Sequence, residues 1–470
     1  MHKFEDFNLD KNLLKAIKNM GYEKPSEVQE NVIPLVLKDE DVIVKSQTGS
    51  GKTAAFAIPI IENIDIEKNA VQALILTPTR ELAVQINEDF GSLGLYKKIK
   101  SVPVFGKQPV SLQKTQLKQR VHVVVGTPGR TLDHIESGNL DLSEVKYLVI
   151  DEADEMLNMG FIEQVESIIC KIHTERQTLM FSATLAEEIK VLIKKHMKNP
   201  KIVEIEAKTL TVDKINQVYY EIAEDRKFGL LRDLVKINDI NQCIVFCRTK
   251  KNVAEVYTKM KGRGYSVCEL HGDMQQSDRL DTLKQFKNGE FTFIVATDVA
   301  ARGIDMSGVT HVINYDIPLE LEAYVHRIGR TGRAGRKGEA ITFVTPYEEK
   351  FLEAIEEFIN MNITKAIRPT KEEIEKIPEK QIKTVVKKTT VGSDVIKVYI
   401  AGGKRKKIRR GDIVGTIINS CNVPADSIGI IDIFDNYSYV DILNGYGKDV
   451  IKNKELPIKG KPMSISKARE

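Results

Sequence analysis

A glycine-rich run that ends in Lys-Thr stands between a short apolar segment and a helix-like segment. It comprises Ser46, Gln47, Thr48, Gly49, Ser50, Gly51, Lys52 and Thr53. A glycine turn between a strand and a helix lets backbone N–H groups surround phosphate oxygens. At this spacing Lys52 reaches the outer phosphates and the Thr53 hydroxyl binds Mg²⁺. The pattern predicts a nucleotide site; a glycine turn without a ligand is the alternative, and Ser46 replaces the glycine of the strict pattern.

A group of carboxylates follows another apolar run further along the chain. Asp151, Glu152 and Asp154 come directly after Tyr147–Ile150. At the end of a strand, Asp151 is placed to hold a metal, partly through water, and Glu152 to activate the water that attacks the γ-phosphate. The alternative is an acidic helix start, which the helix dipole favours. Because they follow the glycine-rich run in the chain, these carboxylates predict hydrolysis of a nucleoside triphosphate.

The glycine-rich run and the carboxylates each follow a short apolar run, and similar apolar runs recur along the chain. Short runs rich in Val, Ile and Leu, separated by helix-length segments, predict buried strands of a parallel sheet, with ligands beyond their carboxyl ends. The first part of the chain contains DVIVKS, ALILTPT, HVVVGTP, YLVIDEAD and TLMFSAT. The second contains QCIVFCRT, FTFIVATD, HVINYD and EAITFVTP, followed by the helix-like EKFLEAIEEFIN. The fold class is therefore α/β with two tandem parallel-sheet domains.

The chain is expected to divide into two lobes at 1–207 and 208–365, a linker at 366–394 and a small α+β domain at 395–470. The segment NPKIVEIEAKTLTVDKI lacks helical periodicity and is expected to join the lobes flexibly, and the charged, Pro-punctuated residues 367–390 to act as a tether. The last domain reads β-α-β-β-α-β. Its expected strands are VIKVYIAG, GIIDIFD, YSYVDIL and MSISKA, and its expected helices DIVGTIINSC and GKDVIKNKEL.

Positive charge gathers at the C-terminus. The net charge is +4, of which residues 395–470 contribute +6 and the rest −2. Six cations occur within seven residues: Lys404, Arg405, Lys406, Lys407, Arg409 and Arg410. Such a patch predicts contact with nucleic-acid phosphates, and a solvated basic loop is the alternative.

Other residue types exclude several classes of protein. The five scattered cysteines lack metal or redox spacing, so we expect them to be reduced; they are Cys170, Cys243, Cys247, Cys268 and Cys421. His271 and His326 have no second ligand at metal spacing and are expected to form hydrogen bonds. A signal peptide and a long apolar span are not evident, which predicts a cytoplasmic protein without a membrane partner.

The glycine-rich run and the later Asp-Glu-Ala-Asp resemble the two motifs that define DEAD-box helicases. The resemblance covers residues 1–360 in the order of the family's motifs. It implies two RecA-like lobes, ATP and Mg²⁺ as cofactors, and RNA as the partner. In that family the lobes close over RNA, the bent RNA loses pairing locally, and hydrolysis of ATP releases the product.

The resemblance also assigns roles to residues. ATP would be bound by Phe4, Tyr22, Gln29, the glycine-rich run and Asp305, since an amide satisfies the donor and acceptor of adenine. RNA would be held by Pro78, Thr79, Arg80, Thr127, Gly129, Arg130, Arg248, Gln276 and Thr297. Arg330 and Arg333 would act as arginine fingers, and Ser182 and Thr184 would couple hydrolysis to RNA opening through the Asp154 region. Gly106-Lys107 stands where the family has a Gly-Gly doublet.

The C-terminal segment is similar to the RNA-binding domain of the DbpA branch of this family, over residues 395–470. Its element order suggests an RRM-like fold, in which Tyr399, Tyr437 and Tyr439 either stack on RNA bases or pack within the domain. The resemblance implies a 23S ribosomal RNA hairpin near the peptidyl-transferase centre as the target, within the pre-50S particle. No obligatory protein partner is evident.

Three other functions remain open at this stage. A general RNA chaperone would lack a specific ribosomal target. A non-enzymatic clamp would bind ATP and RNA without turnover. A DNA helicase would share the lobes and motifs, because motif spacing does not report a 2′-hydroxyl.

Overall fold

A computed structural model describes most of the chain. The described residues are 3–46, 50–173, 175–205, 215–238, 240–301, 306, 308–332, 338–375 and 394–468. They form two compact units: the first contains one parallel sheet together with the C-terminal domain, and the second contains the other parallel sheet. We call the parallel-sheet part of the first unit lobe 1 and the second unit lobe 2.

Lobe 1 is built on a seven-stranded parallel sheet in the order β3-β4-β2-β5-β6-β1-β7. Its strands are β1 (Val42–Lys45), β2 (Ala73–Leu76), β3 (Ser101–Val104), β4 (Val123–Gly126), β5 (Tyr147–Ile150), β6 (Gln177–Ser182) and β7 (Lys201–Glu204). The central strands β2, β4 and β5 are buried along their whole length. Helices therefore cover both faces, which explains why these strands are continuously apolar instead of alternating.

Nine helices in the described part of lobe 1 connect and cover these strands. They are α1 (Lys11–Asn19), α2 (Glu27–Val36), α3 (Lys52–Asn63), α4 (Arg80–Leu93), α5 (Val110–Leu117), α6 (Pro128–Glu136), α7 (Ala153–Asn158), α8 (Ile162–Cys170) and α9 (Glu187–His196). On one face Phe56 of α3 packs on Phe90 of α4 and Phe181 of β6, with ring centroids 6.1 and 5.2 Å apart. These contacts fix the start of α3, and with it Lys52, against the sheet.

Lobe 2 repeats this strand order. Its sheet runs β10-β11-β9-β12-β13-β8-β14, so each strand takes the place of the strand seven earlier in lobe 1. The strands are β8 (Ile215–Glu221), β9 (Cys243–Phe246), β10 (Val267–Leu270), β11 (Phe293–Ala296), β12 (His311–Asn314), β13 (Gly338–Val344) and β14 (Thr364–Lys365). The helices are α10 (Lys227–Ile237), α11 (Lys250–Lys261), α12 (Gln276–Lys287), α13 (Asp298–Ala301), α14 (Leu321–Ile328), α15 (Glu349–Ile359) and α16 (Lys371–Glu375).

The C-terminal domain is a five-stranded antiparallel sheet with two helices. Its elements are β15 (Ile396–Ile400), α17 (Arg410–Cys421), β16 (Ile428–Ile433), β17 (Ser438–Ile442), α18 (Gly447–Lys452), β18 (Glu455–Ile458) and β19 (Lys461–Lys467). The strand order is β16-β17-β15-β19-β18. Inward residues such as Val398, Ile400, Val440 and Ile442 pack on Ile413 of α17, leaving the other face of the sheet outside this core.

The predicted parallel sheets are confirmed, but one local prediction was wrong. GKDVIKNKEL is not one helix: α18 ends at Lys452, and Glu455–Ile458 pairs with β19 as a hairpin strand. The expected flexible join begins with an edge strand, because Lys201–Glu204 pairs with β1. The expected tether is anchored at its start, since the Arg368 guanidinium binds Asp233 at 2.8 Å.

Two further findings concern the cysteines and the helices. All five cysteines are free, as predicted, and Cys243, Cys247 and Cys268 are buried. Within the described ranges, no helix has the length and apolar character needed to cross a membrane.

Candidate active site and nucleic-acid interface

The order of strands divides the carboxyl edge of the lobe 1 sheet into two halves. The glycine-rich run follows β1, the Asp-Glu-Ala-Asp segment follows β5, and Ser182 to Thr184 follow β6. These three strands are neighbours, as are β3, β4 and β2, which precede the other predicted segments. Because parallel strands end at the same edge, one half gathers the residues predicted for ATP and the other those predicted for RNA.

The start of α3 presents polar groups suited to phosphate oxygens. Lys52 is 8% exposed, and its Nζ donates to the Ser46 carbonyl oxygen over 3.4 Å. The Ser46 and Ser50 hydroxyls are buried, and neither has a hydrogen-bond partner among the described residues. A buried hydroxyl without a partner is costly, so these atoms fit a ligand that offers hydrogen-bonding oxygens. The predicted residues Gln47, Thr48 and Gly49 lie outside the described part of the chain.

Gln29 lies directly against the glycine-rich turn. Its Oε1 accepts from the Ser26 N–H at 3.0 Å, and its Nε2 donates to the Gly51 carbonyl oxygen at 3.1 Å. Gly51 has φ +90°, and a Cβ there would lie 2.7 Å from Gln29 Nε2, so glycine is required. A primary amide has a second N–H and a second lone pair, which leaves one donor and one acceptor for a base.

Two aromatic residues predicted to contact ATP, Phe4 and Tyr22, lie close to each other in the fold. Phe4 is 3% exposed, and its ring centroid lies 6.4 Å from that of Tyr22 and 6.3 Å from that of Phe7. Tyr22 is half-buried, and it lies three residues beyond the end of α1 and seven residues before Gln29. The structure thus brings the two predicted aromatic residues, Phe4 and Tyr22, together.

Asp151 and Glu152 occupy the turn between β5 and α7. Asp151 is 3% exposed, and this burial raises the pKa of its carboxyl group, although the Lys52 ammonium and the Glu152 N–H favour the charged form. Glu152 has φ 55° and ψ 54°, a left-handed conformation that costs a non-glycine residue about 1–2 kcal/mol. The Asp151 carboxylate and the Thr53 hydroxyl, which is half-buried in the first turn of α3, are oxygen donors of the kind that Mg²⁺ prefers.

Asp154 connects the β5 turn with the β6 turn. Its Oδ2 accepts from the Ala183 and Thr184 N–H groups at 3.0 and 3.1 Å. Its own N–H donates to Ser182 Oγ at 3.1 Å, and that hydroxyl donates to the Thr184 carbonyl oxygen at 2.6 Å. Because these hydrogen bonds join the two turns, a movement of one turn would displace the other.

The other half of the edge gathers polar groups from three turns. Thr79, next to the buried Pro78, caps α4 by accepting from the Leu82 N–H at 3.3 Å. Thr127 occupies the N-cap position of α6 without a side-chain capping hydrogen bond, and Gly129 is the second residue of that helix. Arg80 begins α4, and its guanidinium lies next to Gly106. A Cβ at Gly106 would lie 3.5 Å from Arg80 Nη2. Arg130 Nη1 donates to the Gln108 carbonyl oxygen at 2.9 Å. These two arginines therefore flank the turn at 106–108 from both sides.

Lobe 2 arranges its predicted residues in the same way. Arg248, Gln276 and Thr297 follow β9, β10 and β11, which are neighbours in the sheet. Arg248 Nη2 donates to the Ile317 carbonyl oxygen at 3.0 Å and to Glu348 Oε1 at 2.5 Å. Arg330, 4% exposed, follows α14 and donates from Nε to the His326 carbonyl oxygen at 3.1 Å. The predicted Asp305 and Arg333 lie outside the described residues.

In the C-terminal domain the cations form a surface loop, which we call the basic loop (residues 404–410). Lys404 to Lys407 and Arg409 are exposed, whereas Ile408 is buried in the domain core and anchors the loop. The Lys404 and Arg405 N–H groups donate to the Phe434 and Asp435 carbonyl oxygens at 2.8 and 2.9 Å. Gly403 allows this approach, because a Cβ there would lie 2.1 Å from the Phe434 carbonyl oxygen.

Four aromatic rings lie beside the basic loop on the outer face of the sheet. This aromatic cluster consists of Tyr399, Phe434, Tyr437 and Tyr439. Phe434 stacks on Tyr437 with centroids 4.8 Å apart, and Tyr437 stacks on Tyr399 at 5.8 Å. All four rings are half-buried and stand outside the domain core. The sequence prediction did not include Phe434 among the candidate stacking residues, although Phe434 lies within the expected strand GIIDIFD.

Comparison with known proteins assigns these parts to one family. Three family descriptions match consecutive segments: DEAD/DEAH box helicase at 26–192, helicase conserved C-terminal domain at 226–335, and DbpA RNA binding domain at 397–467. The ATP-dependent RNA helicase DbpA of Bacillus subtilis (strain 168) is 49% identical over 479 aligned residues, which cover 100% of both chains. The chain belongs to the DEAD-box helicase family. It is an ATP-dependent RNA helicase of the DbpA type.

Other relatives match a smaller part of this DEAD-box helicase. The DEAD-box ATP-dependent RNA helicase CshA of Geobacillus kaustophilus is 48% identical over 79% of this chain and 80% of its own. The structure of Saccharomyces cerevisiae Dbp5 bound to RNA and ADP BeF3 superimposes with a TM-score of 0.72 at 35% identity, covering 82% of this chain and 100% of that one. The two lobes are thus RecA-like domains, as predicted.

One departure from the DEAD-box pattern is explained by backbone conformation. Lys107 replaces the second glycine of the family's Gly-Gly doublet and adopts φ 61°. That left-handed region is where glycine is favoured and where another residue is strained by about 1–2 kcal/mol. The chain therefore keeps a backbone conformation that suits the missing glycine, while adding a cationic side chain to this turn.

A buried arginine in lobe 2 was missed by the sequence prediction. Arg327 is 2% exposed, and its guanidinium binds Asp298 through two nitrogens, one at 2.7 Å. It also donates to Asn314 Oδ1 at 3.2 Å and the Asp316 carbonyl oxygen at 2.6 Å. Arg327 joins α14, which precedes Arg330, to the ends of β11 and β12. Arg327 lies between His326 and Arg330 in a segment rich in positive charge, so the sequence did not indicate that this side chain is buried.

The Ser182 hydroxyl offers a test of coupling in this DEAD-box helicase. Ser182→Ala removes the acceptor of the Asp154 N–H and the donor to Thr184, each worth about 1 kcal/mol. We expect about tenfold less duplex RNA separated per ATP hydrolysed, with hydrolysis itself changed much less. Parallel assays of phosphate release and strand separation measure this ratio. Ser167→Ala, which removes an exposed hydroxyl from α8, is the control; an equal fall of both rates in Ser182→Ala would contradict the coupling role.

Proposed function

We propose that this RNA helicase acts on large-subunit ribosomal RNA, at a 23S hairpin near the peptidyl-transferase centre, during assembly of the pre-50S particle. The C-terminal domain binds the hairpin, and the two lobes separate a neighbouring duplex. The observation that carries the proposal is the junction of the basic loop with the aromatic cluster through the Lys404 and Arg405 N–H groups. The matching relative bears the name DbpA and covers the full chain, C-terminal domain included.

The junction has the two properties that single-stranded RNA requires. Exposed cations neutralise phosphates, and half-buried rings offer faces on which bases stack. A hairpin loop presents unpaired bases and closely spaced phosphates together, so it can occupy both parts at once. Tethering to such a site raises the local concentration of nearby duplex for the lobes.

In the proposed reaction, Gln29, Phe4 and Tyr22 hold the adenine, and Lys52 with the Ser46 and Ser50 hydroxyls holds the phosphates. Asp305 holds the ribose. Thr53 and, partly through water, Asp151 would hold Mg²⁺, which would supply positive charge against the phosphates. Glu152 orients the attacking water and accepts its proton, while Arg330 and Arg333 neutralise charge that develops on the γ-phosphate.

RNA contacts by the lobes are proposed to be made with the backbone. The contributing residues are Pro78, Thr79, Arg80, Thr127, Gly129, Arg130, Arg248, Gln276 and Thr297. The first turns of α4 and α6 present N–H groups that suit phosphate oxygens without reading bases. Sequence preference is accordingly assigned to the C-terminal domain, and strand separation to the lobes.

Substitution of Tyr437, which lies between Phe434 and Tyr399, tests the proposed RNA surface. Loss of one stacking platform costs about 1–3 kcal/mol, so Tyr437→Ala should bind the 23S hairpin about tenfold more weakly. Fluorescence anisotropy of the full chain with a labelled hairpin gives the dissociation constant. Tyr347→Ala serves as the control, because Tyr347 is a 90% exposed tyrosine in lobe 2. Unchanged hairpin affinity in Tyr437→Ala would exclude the aromatic cluster as the binding surface.

Competition between RNAs tests the target itself. The peptidyl-transferase hairpin should displace the labelled hairpin at lower concentration than a shuffled hairpin of equal length, and should stimulate phosphate release at lower concentration. Matched DNA should do neither, because the lobes act on RNA. Equal competition by the shuffled hairpin would indicate a general RNA chaperone in place of a ribosomal specialist.

A further inference from the structure

The C-terminal domain contacts lobe 1 within the first compact unit. The Lys100 ammonium forms an ion pair with Asp432, and the two side chains are only 12% and 15% exposed. Beside this pair, Gln119 Nε2 donates to the Ile433 carbonyl oxygen at 3.2 Å. At a second point Lys15 Nζ donates to Asn444 Oδ1 at 2.8 Å. Charged side chains buried in this way are positioned by both domains, in contrast to an exposed surface pair.

The contact uses the face of the sheet that carries the aromatic cluster. Asp432 is paired with Tyr439 across β16 and β17, and Tyr439 is paired with Tyr399 across β17 and β15. Directly paired residues of an antiparallel sheet point to the same face, with Cβ atoms about 5 Å apart. Lys100 is therefore bound next to Tyr439 on the outer face, where an RNA base stacked on that ring would need the same space.

On lobe 1, the contact lies at the edge opposite to the nucleotide and RNA residues. Lys100 directly precedes β3, and Gln119 lies in the loop before β4, so both stand at the amino ends of their strands. The segments proposed to contact RNA follow the carboxyl ends of β2, β3 and β4. Four-residue strands separate the two edges by roughly 10 Å. A domain held at Lys100 thus leaves the proposed ATP and RNA sites of lobe 1 uncovered.

The contact contains more positive than negative charge. Lys100 faces Asp432, and Arg410 and Lys397, the second of which is paired with Asp441 at 3.3 Å, also lie near it. Burial first, and these two cations next, lower the pKa of the Lys100 ammonium, while Asp432 raises it. The pKa of His122 falls to about 4, because of its burial first and of Arg120 and Arg410 next. A polyanion that approaches this region would relieve the repulsion among the cations, whereas the ion pair with Asp432 opposes their separation.

We propose that the outer face of the C-terminal sheet has two mutually exclusive occupants, RNA and lobe 1 of the same chain. Without RNA the domain is docked on lobe 1 through Lys100 and Asp432. RNA displaces lobe 1 from this face and frees the domain to hold its target beside the lobes. The exclusion rests on the proposed function, in which the aromatic cluster binds RNA, whereas the docking contact does not.

A zero-length crosslink tests the docked state. A water-soluble carbodiimide joins a lysine amine to a carboxylate only in direct contact, so the free full-length protein should yield a peptide joined at Lys100 and Asp432 by mass spectrometry. A saturating mixed-sequence single-stranded RNA should suppress this product. Absence of the product without RNA overturns the docking. Its persistence at saturation overturns the exclusion, and a Tyr437→Ala variant with unchanged RNA affinity would instead count against the proposed RNA surface.

Charge reversal tests the energetic consequence. Lys100→Glu places a carboxylate beside Asp432 and Asp441, so the domain should undock and the full chain should bind the same RNA about fivefold more tightly. Loss of a cation by itself weakens RNA binding, so the expected sign is opposite to a nonspecific effect. Lys146→Glu, at an exposed lysine that directly precedes β5, is the matched control and should not bind more tightly.

The double variant Lys100→Glu with Asp432→Lys restores an ion pair of reversed polarity. It should return the affinity of the Lys100→Glu chain toward that of the unmodified protein and show that the variants fold. Equal or weaker RNA binding by Lys100→Glu, or no return in the double variant, would overturn the competition.

Discussion

Glu152→Gln is expected to lower RNA-stimulated phosphate release by about 10³-fold while ATP remains bound, since general-base catalysis contributes about 10²–10⁴-fold. Glutamine keeps the size of the side chain but cannot accept the proton of the attacking water. The backbone of Glu152 is left-handed, and its N–H donates to Asp151 Oδ1 at 3.0 Å. Neither feature depends on the charge, so the fold should be unaffected.

Two comparisons make this expectation specific. Lys52→Ala should also abolish turnover but weaken ATP binding, because Lys52 is assigned to the phosphates in the ground state as well. Glu163→Gln, an exposed change of the same type at the start of α8, should turn over normally. Phosphate release with and without RNA, together with binding of a fluorescent ATP analogue, separates the three. Full turnover in Glu152→Gln would overturn the assignment of the base.

Arg327→Ala is expected to destabilise lobe 2 by about 3–5 kcal/mol, the usual cost of removing one partner from a buried ion pair. The Asp298 carboxylate would lose both of its guanidinium bonds, and the Asn314 and Asp316 oxygens would lose a donor. The guanidinium also lies over the Phe246 ring, 5.1 Å from its centroid, so packing is lost as well.

Urea unfolding followed by hydrogen exchange, which resolves the two lobes, measures this loss. The exposed Arg226 provides a control substitution to alanine in the same lobe. Arg327→Gln combined with Asp298→Asn should cost less than Arg327→Ala, because neither partner is left as a buried charge. A loss below about 1 kcal/mol in Arg327→Ala would show that Arg327 is not a structural anchor of α14.

Local sequence predicted the individual motifs because their chemistry depends on neighbouring residues. The glycine-rich run lies between β1 and α3, as its strand–turn–helix pattern requires, and Asp151 begins the turn after β5. The strands of the parallel sheets that were missed, β3, β7, β8, β10 and β14, are short or have mixed polarity, so their formation depends on pairing with neighbours. β18 was misread as helix because Lys, Glu and Leu favour helices, while pairing with β19 decided the outcome.

The sequence by itself determined the α/β class, the two lobes with a basic C-terminal domain, and the order of the motifs, because each depends on residues close together in the chain. Only the tertiary structure decided that β5, β6 and β1 are neighbours and that Gln29 lies on Gly51. It also decided that Arg327 is buried, that Phe434 joins three tyrosines, and that Lys100 meets Asp432. These contacts join residues far apart in sequence, and the order of strands and the packing of domains, which no local pattern encodes, bring them together.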